Sequence, residues 1–96
     1  MNITFTSRGE EISEAMKQYI REKLSKFDKI LSKVTNVSIE FINESSHKGI
    51  NSDMRLKIRF NYKGHFIEVS KEGYDFYVLA DELEKLLKRR IEKLKK

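Results

Sequence analysis

Two runs of cations hold most of the chemistry open to this chain. Lys17, Arg21, Lys23, Lys26, Lys29 and Lys33 recur at helical spacing in the first, and Lys85, Lys88, Arg89, Arg90 and Lys93 in the second. From position 88 onward, Lys88, Arg89, Arg90, Lys93, Lys95 and Lys96 face one acid, Glu92. Ammonium and guanidinium groups gathered in this way neutralise phosphates, so the chemistry on offer is capture of a polyanion. The alternative is structural: cations at a helix C-terminus favour the macrodipole and keep the surface solvated.

Little else points to a reaction. His47 lies in a polar stretch and His65 beside a turn, with no partner at metal-ligand spacing, and the chain has no cysteine. Paired acids such as Glu10-Glu11 and Asp81-Glu82 fall where helix starts favour negative charge. No histidine, cysteine or serine motif accompanies them to support acid–base or covalent work. Gly9, Gly49, Gly64 and Gly73 are isolated, so there is no phosphate-cradling loop. An enzyme, a metal centre and a bound cofactor are therefore not expected.

The cations need elements to position them. Ile3 and Phe5 alternate with Thr4 and Thr6, a short strand, and Arg8-Gly9-Glu10-Glu11 turns out of it. Ser13 is the N-cap of a helix whose apolar stripe runs through Ile12, Ala15, Met16, Tyr19, Ile20, Leu24, Phe27, Ile30 and Leu31, to about residue 32. Lys23 projects into the middle of that stripe. Either its stem follows the core edge while the ammonium reaches water, or this edge meets an anion.

Residues 35–44 form a second strand, with Val37, Ile39 and Phe41 on one face, and residues 44–53 are a polar loop. Leu56, Ile58, Phe60 and Tyr62 alternate with Arg55, Lys57, Arg59 and Asn61, and Lys63-Gly64 suits a two-residue hairpin turn. That turn sets Tyr62 opposite His65, Phe60 opposite Ile67, Ile58 opposite Val69, and Arg59 opposite Glu68. Asp75 is placed to cap a last helix whose apolar arc is Phe76, Leu79, Ala80, Leu83, Leu86, Leu87, Ile91 and Leu94.

The order β-α-β-β-β-α predicts an α+β two-layer sandwich similar to a double-stranded-RNA-binding domain. A four-stranded sheet carries both helices on one face. Tyr19, Phe27, Ile39, Ile58, Phe60, Leu83 and Leu87 should be buried, with Arg55, Lys57 and Arg59 on the open face. The 96 residues make a single domain, 1–96, with a net charge of +5. No signal-like or membrane-length apolar run occurs, so the cytoplasm is the expected compartment and no membrane is an expected partner.

The segment TSRGEEISEAMKQYIREKLSKFDK resembles the first strand and helix of the ribosome hibernation-promoting factors, the sigma-54 modulation or S30AE proteins. Ile12, Ser13, Lys23-Leu24, Lys26 and Phe27 carry the likeness. EGYDFYVLADELEKLLKRRIEKLKK is similar to the family's second helix through Asp75, Tyr77, Asp81, Leu83, Leu87, Arg89, Ile91 and Lys93. It departs at Leu79-Ala80, at Leu86 and at Arg90, which shifts the cations along that helix.

The resemblance implies a translational regulator active under stress. Such a protein binds the small ribosomal subunit in the channel used by messenger and transfer RNA, touches ribosomal RNA with its helices, and stores ribosomes inactive. The RNA-binding candidates are then Lys23, Lys26, Lys29, Lys85, Lys88, Arg89, Arg90 and Lys93. A generic double-stranded RNA-binding module and a protein-interaction domain are the alternatives.

Overall fold

A computed structural model describes residues 2–43 and 54–94. Strand β1 is Ile3–Gly9, followed by helix α1, Glu14–Ser25, and a single-turn helix α2, Asp28–Leu31. Strands β2 (Val37–Asn43), β3 (Met54–Tyr62) and β4 (His65–Gly73) come next, and helix α3 (Phe76–Leu94) ends the fold. The expected polar loop at 44–53, with His47, lies outside the described residues, as do Lys95 and Lys96.

The sheet is mixed, in the order β1-β2-β3-β4. β1 and β2 are parallel, because α1 carries the chain back across the sheet, and the other neighbours are antiparallel. The hairpin register is the expected one: Tyr62 faces His65, Phe60 faces Ile67, Ile58 faces Val69 and Arg59 faces Glu68. Lys63 and Gly64 both take positive φ, 50° and 81°, as a tight hairpin turn with the right twist requires.

One sheet face collects Val37, Ile39, Phe41, Leu56, Ile58, Phe60, Ile67 and Val69, all buried. Met16, Ile20 and Leu24 of α1 and Phe76, Leu79, Ala80, Leu83, Leu87 and Ile91 of α3 join them in one core. Both helices therefore cover the same face. Arg55 and Arg59 are exposed on the other side, and Lys57 lies partly covered beside Glu40.

The first helix differs from its expected length. It ends at Ser25, the backbone turns at Lys26-Phe27, and α2 starts afresh at Asp28. The N–H of Phe27 donates to the Leu24 carbonyl at 2.9 Å, a tighter turn than the α-helical pattern. The Ser25 hydroxyl donates to the Glu22 carbonyl at 2.6 Å, offering the backbone an alternative to the helix ladder. The break lets Leu31 reach full burial. A straight helix through residue 32 would leave the sheet behind. Tyr19, within α1, and Phe27, at the break, are half-buried rather than enclosed, and Ala15 is exposed.

Both helix caps form. The Ser13 hydroxyl accepts from the N–H of Met16 at 3.1 Å. Asp75 Oδ1 accepts from the N–H groups of Tyr77 and Val78 at 2.9 and 3.1 Å. Asp75→Ala should cost about 0.5–2 kcal/mol of unfolding free energy, with little change from Asp75→Asn or Asp75→Ser. Chemical denaturation of the three variants checks it, and an unchanged midpoint in Asp75→Ala would remove the cap from the stability account.

Candidate nucleic-acid interface

Helices α1 and α3 lie side by side and run in the same direction. Tyr19 meets Tyr77 edge-on, with ring centroids 4.9 Å apart. The Tyr19 hydroxyl donates to Asp81 Oδ1 at 2.7 Å. Lys23 Nζ lies 2.8 Å from Asp81 Oδ1 and 3.1 Å from Glu84 Oε1, and it also sits 5.2 Å from the Tyr19 ring centroid. One step further along, Lys26 Nζ reaches Glu84 Oε2 at 2.9 Å.

The seam between the helices is thus an alternating chain of charges. Lys23, read from the sequence as either an edge residue or an anion contact, is held between two carboxylates of α3. Its side chain is only 22% exposed. The bonds to Asp81 and Glu84 push its pKa above the ordinary lysine value. Bonding to Lys23, then to Tyr19, holds the Asp81 carboxyl below its usual range. Burial works the other way on Glu84, but Lys26 and Lys23 together outweigh it, and the net direction is down. The Tyr19 phenol is raised, first by its bond to Asp81.

The remaining candidates divide by position. Lys17 and Arg21 sit on the far edge of α1, 5.8 and 5.3 Å from the Phe5 ring centroid, where they cover the core beside β1. Lys17 also pairs with Glu14 at 3.4 Å. Arg90 turns toward β4 and donates to the Glu68 carbonyl at 3.3 Å, covering a polar group on an edge strand. Lys29, Lys33, Lys85, Lys88, Arg89 and Lys93 are exposed and make no salt bridge among the described residues. Lys26 and Lys88 line one hollow of about 440 Å³ with Phe27, Glu84, Ile91 and Glu92.

The positive surface is therefore an end rather than a full-length ridge. The cations without a salt bridge stand on α2, at Lys29, and on α3 from Lys85 onward. Along the first half of α3, Asp81, Glu82 and Glu84 interrupt it. Spacing alone marked the cations; it could not show which ones the neighbouring helix would claim. On the open sheet face, Arg55 pairs with Glu72 and Lys57 lies 3.8 Å from Glu40 Oε1, so that surface is largely neutralised across strands. Among the described residues no group of three His, Cys, Asp or Glu is arranged to hold a metal ion, and no helix is long and apolar enough to cross a membrane.

The seam makes a pH prediction. Asp81 and Glu84 have depressed values, so their contribution is full above the ordinary carboxylate range and is lost as pH falls through the lowered values. Lys23 and Tyr19 have raised values, so theirs is full below the ordinary lysine and tyrosine range and is lost as pH rises through the raised values. Lys23→Gln should lower the melting temperature at neutral pH and shallow its fall on acidification below about pH 4. Asp81→Asn should add less in the Lys23→Gln background than alone. Thermal melts across pH test both, and a parallel acid limb with additive shifts would show the seam to be energetically idle.

The family described as sigma 54 modulation protein / S30EA ribosomal protein matches residues 3–96. A ribosome hibernation promotion factor of Deinococcus radiodurans is 24% identical over 90 residues, covering 94% of this chain and 47% of that protein. The chain thus spans about half the length of this curated relative. Among solved structures, a ribosomal subunit interface protein from Coxiella burnetii superposes with a TM-score of 0.83 at 23% identity, covering 99% of this chain and 98% of its own. The N-terminal domain of Thermus thermophilus Protein Y gives 0.74 at 21% identity, with 98% and 99% covered. These likenesses place the fold. With the family match running over almost the whole chain and the two helical segments where the resemblance put them, the chain belongs to the sigma 54 modulation protein / S30EA ribosomal protein family.

Proposed function

We propose that this chain binds ribosomal RNA of the small subunit, in the channel used by messenger and transfer RNA, and holds ribosomes inactive under stress. The observation that carries the proposal is the unpaired cationic end. Lys29 on α2 and Lys85, Lys88, Arg89 and Lys93 on α3 are each exposed and make no salt bridge among the described residues. Lys26 borders the same end while tied to Glu84. The names of the relatives, a ribosome hibernation promotion factor and a ribosomal subunit interface protein, support the ribosome as the source of the polyanion.

Within this proposal the cations divide into two roles. Lys29, Lys85, Lys88, Arg89 and Lys93 neutralise phosphates. Lys23 and Arg90 act mainly by fixing where α3 lies, through Asp81, Glu84 and the β4 edge. Phosphate neutralisation releases counterions and recognises backbone shape rather than base sequence, which suits structured RNA.

Replacing Arg89 and Lys93 together by glutamine should leave the melting temperature nearly unchanged, weaken co-sedimentation with purified small subunits, and relieve inhibition of in vitro translation. Each lost phosphate contact should flatten the slope of log affinity against log salt by about 0.7–0.9. Full binding with an unaltered slope would exclude the cationic end. Capture of the chain by a nuclease-resistant protein partner, with no sedimentation on subunits, would favour a protein-interaction domain instead.

A further inference from the structure

The open sheet face holds one region that cross-strand pairing does not neutralise. Arg55 and Lys57 have acidic neighbours in bonding range, but Arg59 makes no salt bridge or hydrogen bond among the described residues, although Glu68 lies opposite it in register. Two residues along the same strand, Asn61 makes no side-chain hydrogen bond among the described residues and stands directly opposite Phe66. Phe66 is 59% exposed and has no ring or cation partner among the described residues. Every other phenylalanine of the described residues is buried or partly covered.

These groups border one hollow of about 420 Å³, closed on its far side by Asn36 and Ser38. That wall is braced. The Thr4 hydroxyl donates to Asn36 Oδ1 at 3.0 Å, and Asn36 Nδ2 donates to Ser38 Oγ at 3.3 Å. Its volume falls within the about 300–1,000 Å³ usual for small-ligand sites. The hollow therefore offers an exposed aromatic face, a free amide and a free guanidinium. Arg59 is the diagonal cross-strand neighbour of Phe66, within reach of a long side chain.

We propose that this hollow binds one unpaired RNA nucleotide, its base stacked on Phe66, its edge hydrogen-bonded by the Asn61 amide, and its phosphate held by Arg59. Aromatic–base stacking with a cation on the backbone is how sheet surfaces take single-stranded nucleic acid. A duplex does not fit, because its bases are already stacked and paired and cannot present a face to the ring. A protein partner is disfavoured because Phe66 is the one exposed aromatic at the hollow, with Asn36, Ser38, Arg59 and Asn61 around it. The site lies on the sheet face opposite the helices, so it would engage a different nucleotide from those at the cationic end.

The test uses no ribosome, so its failure leaves the function proposed above standing. The ¹⁵N-labelled protein is titrated with hexauridylate and with hexaadenylate at low salt, followed by amide shifts and by anisotropy of a labelled oligonucleotide. The expected result is saturable shifts at Asn36, Ser38, Arg59, Asn61 and Phe66. Phe66→Ala should weaken binding about five-fold or more, Phe66→Tyr should retain it, and Arg59→Gln should weaken it while flattening its salt dependence. Arg89→Gln should leave the shifts at the hollow in place, and a short RNA duplex should not displace the oligonucleotide from it. Phe66 and Arg59 are exposed, so both variants should melt as the parent does. Shifts confined to α2 and α3, or an unchanged affinity in Phe66→Ala, would overturn the proposal, as would no binding by either oligonucleotide.

Discussion

A four-stranded sheet with apolar side chains on one face only has to be covered on that face, and two helices of 12 and 19 residues do the covering. Each fully buried aliphatic or aromatic side chain contributes about 1.5–3 kcal/mol of transfer free energy. Moving a helix off the sheet would expose several at once. The parallel pairing of β1 with β2 requires a crossover, which α1 supplies. The antiparallel end at β4 then sends α3 back beside it, in the same direction. From that constraint follows the seam between the helices.

The seam decides how the cations are used. Lys23 faces Asp81 and Glu84, and Lys26 faces Glu84, so the helices are joined by charges that are only partly solvated. A partly covered pair is screened less by salt than a surface pair, and the Tyr19 hydroxyl completes the bonding of Asp81. Cations beyond Glu84 meet few acids and stay available. A chain with fewer acids early in α3 would have a longer positive surface, but its helices would repel one another along the seam. The arrangement separates a part of the helix pair that holds together from a part that attracts.

The open sheet face follows a different logic. Its charges are opposed across neighbouring strands, Arg55 with Glu72 and Lys57 with Glu40. That is how a wet antiparallel face stays soluble without a large field of one sign. Arg59 and Phe66 break the pattern next to a braced wall. A guanidinium without a salt bridge among the described residues and an exposed phenyl ring give this surface chemistry of its own.

Alternation of apolar and polar residues marked β1 to β3, although Arg8 and Gly9, read as the turn out of the first strand, pair within β1. The Lys63-Gly64 turn fixed the β3–β4 register because both faces had to agree: Ile58 with Val69 on one and Arg59 with Glu68 on the other. The Ser13 and Asp75 caps and the apolar arcs of both long helices were legible for the same reason, since each is a local pattern. The end of α1 was not. Phe27, Ile30 and Leu31 keep helical spacing, but only the position of the sheet makes the chain bend at Lys26-Phe27 to bury Leu31. Nor could spacing assign the cations. Periodicity gives a side chain's direction around its own helix axis and says nothing of what stands opposite. Lys23 stood open between a core-edge residue and an anion contact, and Arg90 looked equivalent to Arg89 and Lys93, until packing set carboxylates against the first and a strand carbonyl against the second. The sequence determined which residues carry positive charge; the tertiary structure decided which of those charges remain free.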